Sequence, residues 1–191
     1  MTRWLRADVH RSNEAAKESA MTSLRTGTAR HKIAIIDGPN MTNLGARNPK
    51  VYGAIASIGD LQDYCKGVGE SLGIEVVPFV SNYEGAILEF IHANAGEVDG
   101  FLINPAGLTE IGIPTKHALS ETGKPFIEVH FANVVAPPHH PRGLPIGPWE
   151  SVFTPAATGA ALGMRQYSYT AALVGLTLAL DDESFLGGTA R

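Results

Sequence analysis

One cysteine, no long apolar run and no excess of basic charge set the first limits on this chain. Cys65 is the only cysteine in 191 residues, so an intrachain disulfide and a CxxC metal site are excluded, and a reducing, cytoplasmic setting is expected. No stretch of about 18 apolar residues is present, and no apolar signal-peptide core precedes the domain, so no membrane association is expected. The longest apolar stretch, Ala171 to Leu180, is interrupted by Gly175 and Thr177. The formal charge is −4, with the 15 Lys and Arg scattered, which argues against nucleic acid as a partner. No GxGxxG or GxxxxGK[ST] follows the first apolar run and no GxSxG occurs, so dinucleotide, Walker-type and hydrolase-elbow sites are not indicated. The adjacent pair His139, His140 lacks helical ligand spacing and sits among prolines, and no metal site is expected. A small molecule is the expected partner.

What is present suits one globular core: 44% of residues are hydrophobic and 18% charged. Residues 1–30 are polar and basic and read as an N-terminal extension, a mobile or oligomer-docking arm. From His31 the pattern changes, and 31–191 reads as a single domain. The run Ile33 to Ile36, stopped by Asp37, Gly38, Pro39 and Asn40, predicts a buried parallel strand ending in a turn. Ile55, Ile58, Leu61, Cys65, Val68 and Leu72 recur at helical spacing before Gly73. Strands are expected over 74–80, 100–103 and 126–130. A capping box from Ser81 to Glu84 is expected to open the second helix. A short helix is expected over 115–121, and one long helix over 159–180, capped by Thr158. The segment Pro137 to Pro148 holds five of the twelve prolines and must be a loop. This alternation predicts an α/β protein with a flavodoxin-like, doubly wound parallel sheet in three α/β/α layers.

In such a sheet, ligands bind beyond the carboxyl ends of the strands. Polar residues collect after each strand: Asn40, Arg47 and Tyr52; Ser81, Asn82 and Glu84; Asn104 and Thr109; Glu128 and His130. Glu128 and His130 are two apart on one strand and face the same side. The carboxylate can hold the imidazole as a proton donor, or the pair can be a structural hydrogen bond. Arg47 beside Tyr52 is expected to lower the phenol pKa and make it usable as a base; a surface arginine and a packed tyrosine are the plainer alternative. Their convergence on one sheet edge favours chemistry.

The strings Asp37 to Asn40, Leu44, Gly45, Arg47, Val51 to Gly53, Ser81 to Gly85, Asn104, Pro105 and Ile127 to His130 resemble type II 3-dehydroquinate dehydratase, in order and spacing, over residues 31–181. The resemblance implies a cofactor-free hydro-lyase of the shikimate or quinate routes, assembled as a homododecamer of trimers. It implies Tyr52 as base activated by Arg47, Asn40 supporting an enolate, and His130, oriented by Glu128, protonating the departing hydroxyl. Asn104, with backbone groups near Ala106 and Gly107, would bind substrate hydroxyls, and Phe131 and Ala132 would border the substrate, Ala132 at the position that holds its carboxylate. Several outer positions depart from the family. Glu110 stands where the family has histidine, His117 where it has aspartate, and Ala132 where it has serine. Arg142 stands in for the family's loop arginine after a one-residue shift, and the proline-rich stretch replaces the usual loop. A reciprocal Glu110–His117 pair is one reading of these changes. The residues thus leave open a dehydroquinate dehydratase, a lyase or isomerase of the same superfamily acting on another oxygenated ring, and a non-catalytic assembly protein.

Overall fold

The computed structural model describes residues 24–53, 55–182, 184 and 185. The expected arm over 1–30 therefore lies mostly outside the described residues. Five parallel strands form one sheet in the order β2-β1-β3-β4-β5: β1 Lys32–Asp37, β2 Glu75–Val80, β3 Gly100–Asn104, β4 Phe126–His130 and β5 Gly159–Leu162. The reversal of strand order beside β1 is the doubly wound arrangement expected from the alternation. β2 lies at an edge, where Pro78 costs no internal ladder bond.

The helices are α1 Pro49–Tyr52, a single turn; α2 Ile58–Leu72; α3 Glu84–Asn94; α4 Ile113–Glu121; and α5 Tyr167–Asp181. Alternation along the strands splits the core in two. Ile33, Ile35, Leu102 and Val129 meet Leu61, Cys65 and Leu72 of α2 and Tyr169, Leu173 and Leu176 of α5. Ala34, Ile36, Phe101, Ile103 and Phe126 meet Ile87 and Ile91 of α3 and Ala118 and Leu119 of α4. These are the three expected layers. Helix α2 starts where the Ser57 hydroxyl accepts from the Asp60 amide at 3.0 Å, and stops at Gly73, whose φ of 69° suits a residue without Cβ. Burial pushes the Cys65 thiol well up, which leaves it an inert core residue.

Two local expectations are corrected. Residues 159–180 are not one helix: Gly159–Leu162 pairs with β4 as the fifth strand, and a turn through Gly163 and Arg165 leads to α5. Ala160 and Ala161 fit helix by propensity, but pairing with β4 at the sheet edge prevails over that weak preference. Nor does a capping box open α3. Its N-cap is Tyr83; the Ser81 hydroxyl accepts from the Tyr83 amide at 2.9 Å, and Glu84 instead accepts from the Thr115 hydroxyl at 2.8 Å, tying α3 to α4.

Arg25, just ahead of the domain, is fastened to it. Its guanidinium pairs with Asp181 at 2.7 and 2.8 Å and with the Leu72 carbonyl at 3.0 Å. This hydrogen-bonded cation, with His31 on the same carboxylate, holds Asp181 down to about 2 from 3.8. A depressed carboxyl contributes stability that is present above its unfolded pKa and lost as pH falls through the folded one. Arg25→Ala should lower Tm near neutral pH, by about 2–4 °C for each kcal/mol lost. The gap to wild type should shrink as pH falls from 3.8 toward about 2. Thermal scans across that range check both the sign and the window.

Candidate active site

The carboxyl ends of β1, β3 and β4 open into a cavity of about 440 Å³, including its solvent-open mouth. Asn40, Arg47, Tyr52, Asn104, Ala106, Gly107, His130, Phe131 and Ala132 all border it. The floor is made by close backbone approach. Gly38 donates to the Asn104 carbonyl at 2.8 Å, and a Cβ on it would sit 2.3 Å from the Pro105 carbonyl oxygen, so only glycine fits. Two non-glycine residues at the cavity occupy the left-handed region, Asn40 (φ 75°) and Ala106 (φ 48°). Such strain is held where the surroundings over-determine it. For Asn40 part of that constraint is visible: its amide donates to the Asn82 side-chain oxygen at 2.8 Å. The Gly107 amide donates to the Pro39 carbonyl at 3.2 Å.

Arg47 caps the 3-10 turn Met41–Ala46, and Tyr52 closes α1, which begins at Asn48 with Pro49 in the first turn. This loop geometry folds the two side chains together. The guanidinium carbon lies 3.7 Å from the centroid of the Tyr52 ring, and Nη2 donates to the phenol oxygen. The expected lowering of the phenol pKa is corrected. Burial dominates and pushes Tyr52 above its ordinary 10, although Arg47, and Arg142 more weakly, pull it down. Arg47→Ala removes the largest downward influences, so the phenol should ionise at still higher pH. Activity should fall near neutral pH and recover more steeply than wild type as pH is raised; matched pH–rate profiles test this.

Across the cavity, Glu128 and His130 lie on the α3/α4 face of the sheet, and Glu128 Oε1 and His130 Nε2 are 2.7 Å apart. Glu128 is fully buried. Burial alone would raise its pKa, yet hydrogen bonds from His130, Ser151 and Thr154 outweigh it and hold the carboxyl below its usual range. Glu128 therefore stays an acceptor, its Oε2 taken by the Thr154 hydroxyl. That arrangement assigns the Nε2 hydrogen to the carboxylate and leaves Nδ1 as the nitrogen for exchange with a ligand. A buried, charged orienting group behind an imidazole at a cavity edge is an arrangement that can carry acid/base chemistry.

The family model for Dehydroquinase class II matches residues 31–177. The chain belongs to the class II dehydroquinase family. Among its relatives, Catabolic 3-dehydroquinase 1 of Neosartorya fischeri is 38% identical over 156 residues, covering 81% of this chain and 97% of that one. The protein of the same name from Aspergillus fumigatus gives the same identity and coverage. The type II dehydroquinase of Propionibacterium acnes superimposes with a TM-score of 0.68 at 28% identity, over 79% of this chain and 99% of that one. That of Butyrivibrio crossotus matches equally well in TM-score at 30% identity, over 78% and 99%.

Within this member of the family the outer positions fall differently from the inner ones. Arg142 does not border the cavity. Its guanidinium donates to the Gly163, Lys50 and Phe131 carbonyls at 2.8, 3.0 and 2.7 Å, so it pins loops together, which corrects its expected place as a ligand-binding arginine. Glu110 and His117 are exposed and outside the cavity lining, and no ion pair joins them among the described residues. The proline-rich stretch is irregular, as expected, but it carries Leu144 into the cavity wall beside Val134 and Trp149. None of these three was among the sequence candidates, nor were Ser151 and Thr154, which support Glu128. Their only signal was position in a long loop near a proposed site.

Proposed function

We propose that the protein is a hydro-lyase that eliminates water from 3-dehydroquinate to give 3-dehydroshikimate, with Tyr52 as base and His130 as acid. The observation carrying this is the placement of Arg47, Tyr52 and His130 on one cavity, with Glu128 bonded behind His130. Tyr52, ionised, removes a proton alpha to the ring ketone; an enolate forms near Asn40; His130 then protonates the hydroxyl as it leaves. Both proton carriers are side chains, so the chemistry requires no cofactor. The fungal relatives named catabolic 3-dehydroquinases favour a quinate-degrading role, and the single buried thiol suits a cytoplasmic one. Purified protein should convert 3-dehydroquinate to the conjugated enone, followed by ultraviolet absorbance, at a rate unchanged by EDTA. No absorbance change under any condition that preserves the fold would sink the assignment.

A second reading, a lyase or isomerase of the same superfamily acting on another oxygenated ring, is favoured by the wall. Val134, Leu144 and Trp149 make it apolar, Ala132 brings no hydroxyl, and Arg142 is committed elsewhere. A panel of ring ketones with and without a carboxylate separates the two.

Self-association is part of the same proposal. Tyr83, Ile111 and Ile113 are 78%, 69% and 41% exposed around the α3–α4 junction, next to Glu110 and His117. A second copy, building toward a dodecamer of trimers, would cover them. Sedimentation should report twelve chains for wild type and smaller species for Ile111→Asp with Ile113→Asp.

A further inference from the structure

Beneath the cavity lies a buried polar chain that the proton-transfer scheme does not use. Asp37 ends β1 and Asn104 ends β3, directly paired in register, so both side chains emerge on the α2/α5 face. Tyr169 of α5 sits against both. The three are 1%, 3% and 0% exposed. The Tyr169 hydroxyl donates to Asp37 Oδ1, and Asn104 Nδ2 donates to the Tyr169 oxygen at 2.8 Å. Of the three, only Asn104 borders the cavity.

Donor counting makes this chain directional. A phenol has one proton. With that proton on Asp37, Tyr169 can only accept from Asn104, so the Asn104 amide must present its NH₂ inward. The second N–H approaches Met41 Sδ at 3.4 Å. The carbonyl Oδ1 is what remains for the cavity. We propose that Asp37 and Tyr169 are positioning residues that fix the polarity of Asn104, so that it meets the ligand as a hydrogen-bond acceptor and selects a ring hydroxyl there. The inference rests on the proposed reaction and adds to it a donor requirement on the substrate.

Burial raises Asp37 to about 7, partly offset by the bond from Tyr169. The ionised carboxyl can only accept, which fixes the order of donors. A carboxyl protonated on its other oxygen still accepts at Oδ1, as would the side-chain carbonyl of asparagine when it faces Tyr169. Asp37→Asn is therefore a conservative replacement that keeps the acceptor, whereas Tyr169→Phe breaks the chain and frees the Asn104 amide to turn.

Steady-state kinetics on 3-dehydroquinate read the consequence. A hydroxyl contact away from the reacting atoms is made equally in ground and transition states, so its loss falls on KM. Tyr169→Phe should raise KM about 3–10-fold, the contribution of one hydrogen bond, with kcat within about twofold. Asp37→Asn should keep both near wild type. An unchanged KM in a folded Tyr169→Phe protein, or a Tyr169-like KM defect in Asp37→Asn, would overturn the proposal. Neutron diffraction from the deuterated wild-type protein tests the polarity without turnover or substrate. Deuterons on the Asn104 atom facing Tyr169 support it, and deuterons on the atom facing the cavity refute it. If wild type is inert toward 3-dehydroquinate, the reaction assignment fails while the diffraction result still decides the positioning claim.

Discussion

Tyr52→Phe is expected to lower kcat on 3-dehydroquinate by about 10²–10⁴-fold, the range over which a positioned general acid or base contributes. The substitution removes one oxygen and leaves the ring, whose centroid lies 6.1 Å from that of Phe131, in place. Arg47, half-buried and reaching the cavity, keeps its contact with Met41 Sδ. The fold should therefore survive, and the loss should appear in kcat rather than KM, because the phenol is needed only as the proton leaves. Circular dichroism and Tm measured on the same preparation separate chemistry from unfolding. Activity within about threefold of wild type would remove Tyr52 from the mechanism.

His130→Ala should cost a comparable 10²–10⁴-fold, about the contribution of a general acid, and its interaction with Glu128 is the sharper test. Glu128 acts through the imidazole: it is held ionised by bonds from His130, Ser151 and Thr154 and does not itself border the cavity. Glu128→Gln alone should slow turnover substantially, since an amide no longer dictates which imidazole nitrogen carries the hydrogen. In the His130→Ala background the same change should cost little more, because groups that act as one unit are not additive. Full additivity of the two losses would mean that Glu128 serves the reaction by another route. Loss of the imidazole also leaves a buried carboxylate short of a donor, so Tm should fall in the His130→Ala variant and recover in part when Glu128→Gln is added.

The inner site was legible because its residues come in short strings whose geometry is local. Arg47 and Tyr52 are five residues apart around one turn, and Glu128 and His130 alternate on one strand. The same locality explains the success with four of the five strands and with α2, where buried runs, Ser57 and Gly73 mark their own ends. Failures came where a distant element decided. Gly159–Leu162 becomes strand only because β4 offers an edge, and Glu84 leaves its helix end because Thr115 waits across the α3–α4 contact. For Tyr52 the pairing with Arg47 was correctly anticipated, but the sign of its pKa shift depended on burial.

By itself the sequence determined the parallel α/β architecture, the family, and the pairing of Arg47 with Tyr52 and of Glu128 with His130. Periodicity and short-range spacing encode those directly. Only the tertiary structure decided that Arg142 binds three carbonyls instead of the cavity, that Leu144 and Trp149 make its wall, and that Asp37 and Tyr169 orient Asn104. Each of these depends on which groups remain unsatisfied once the chain has closed on itself. That is a property of contacts between residues far apart in sequence, where spacing carries no information.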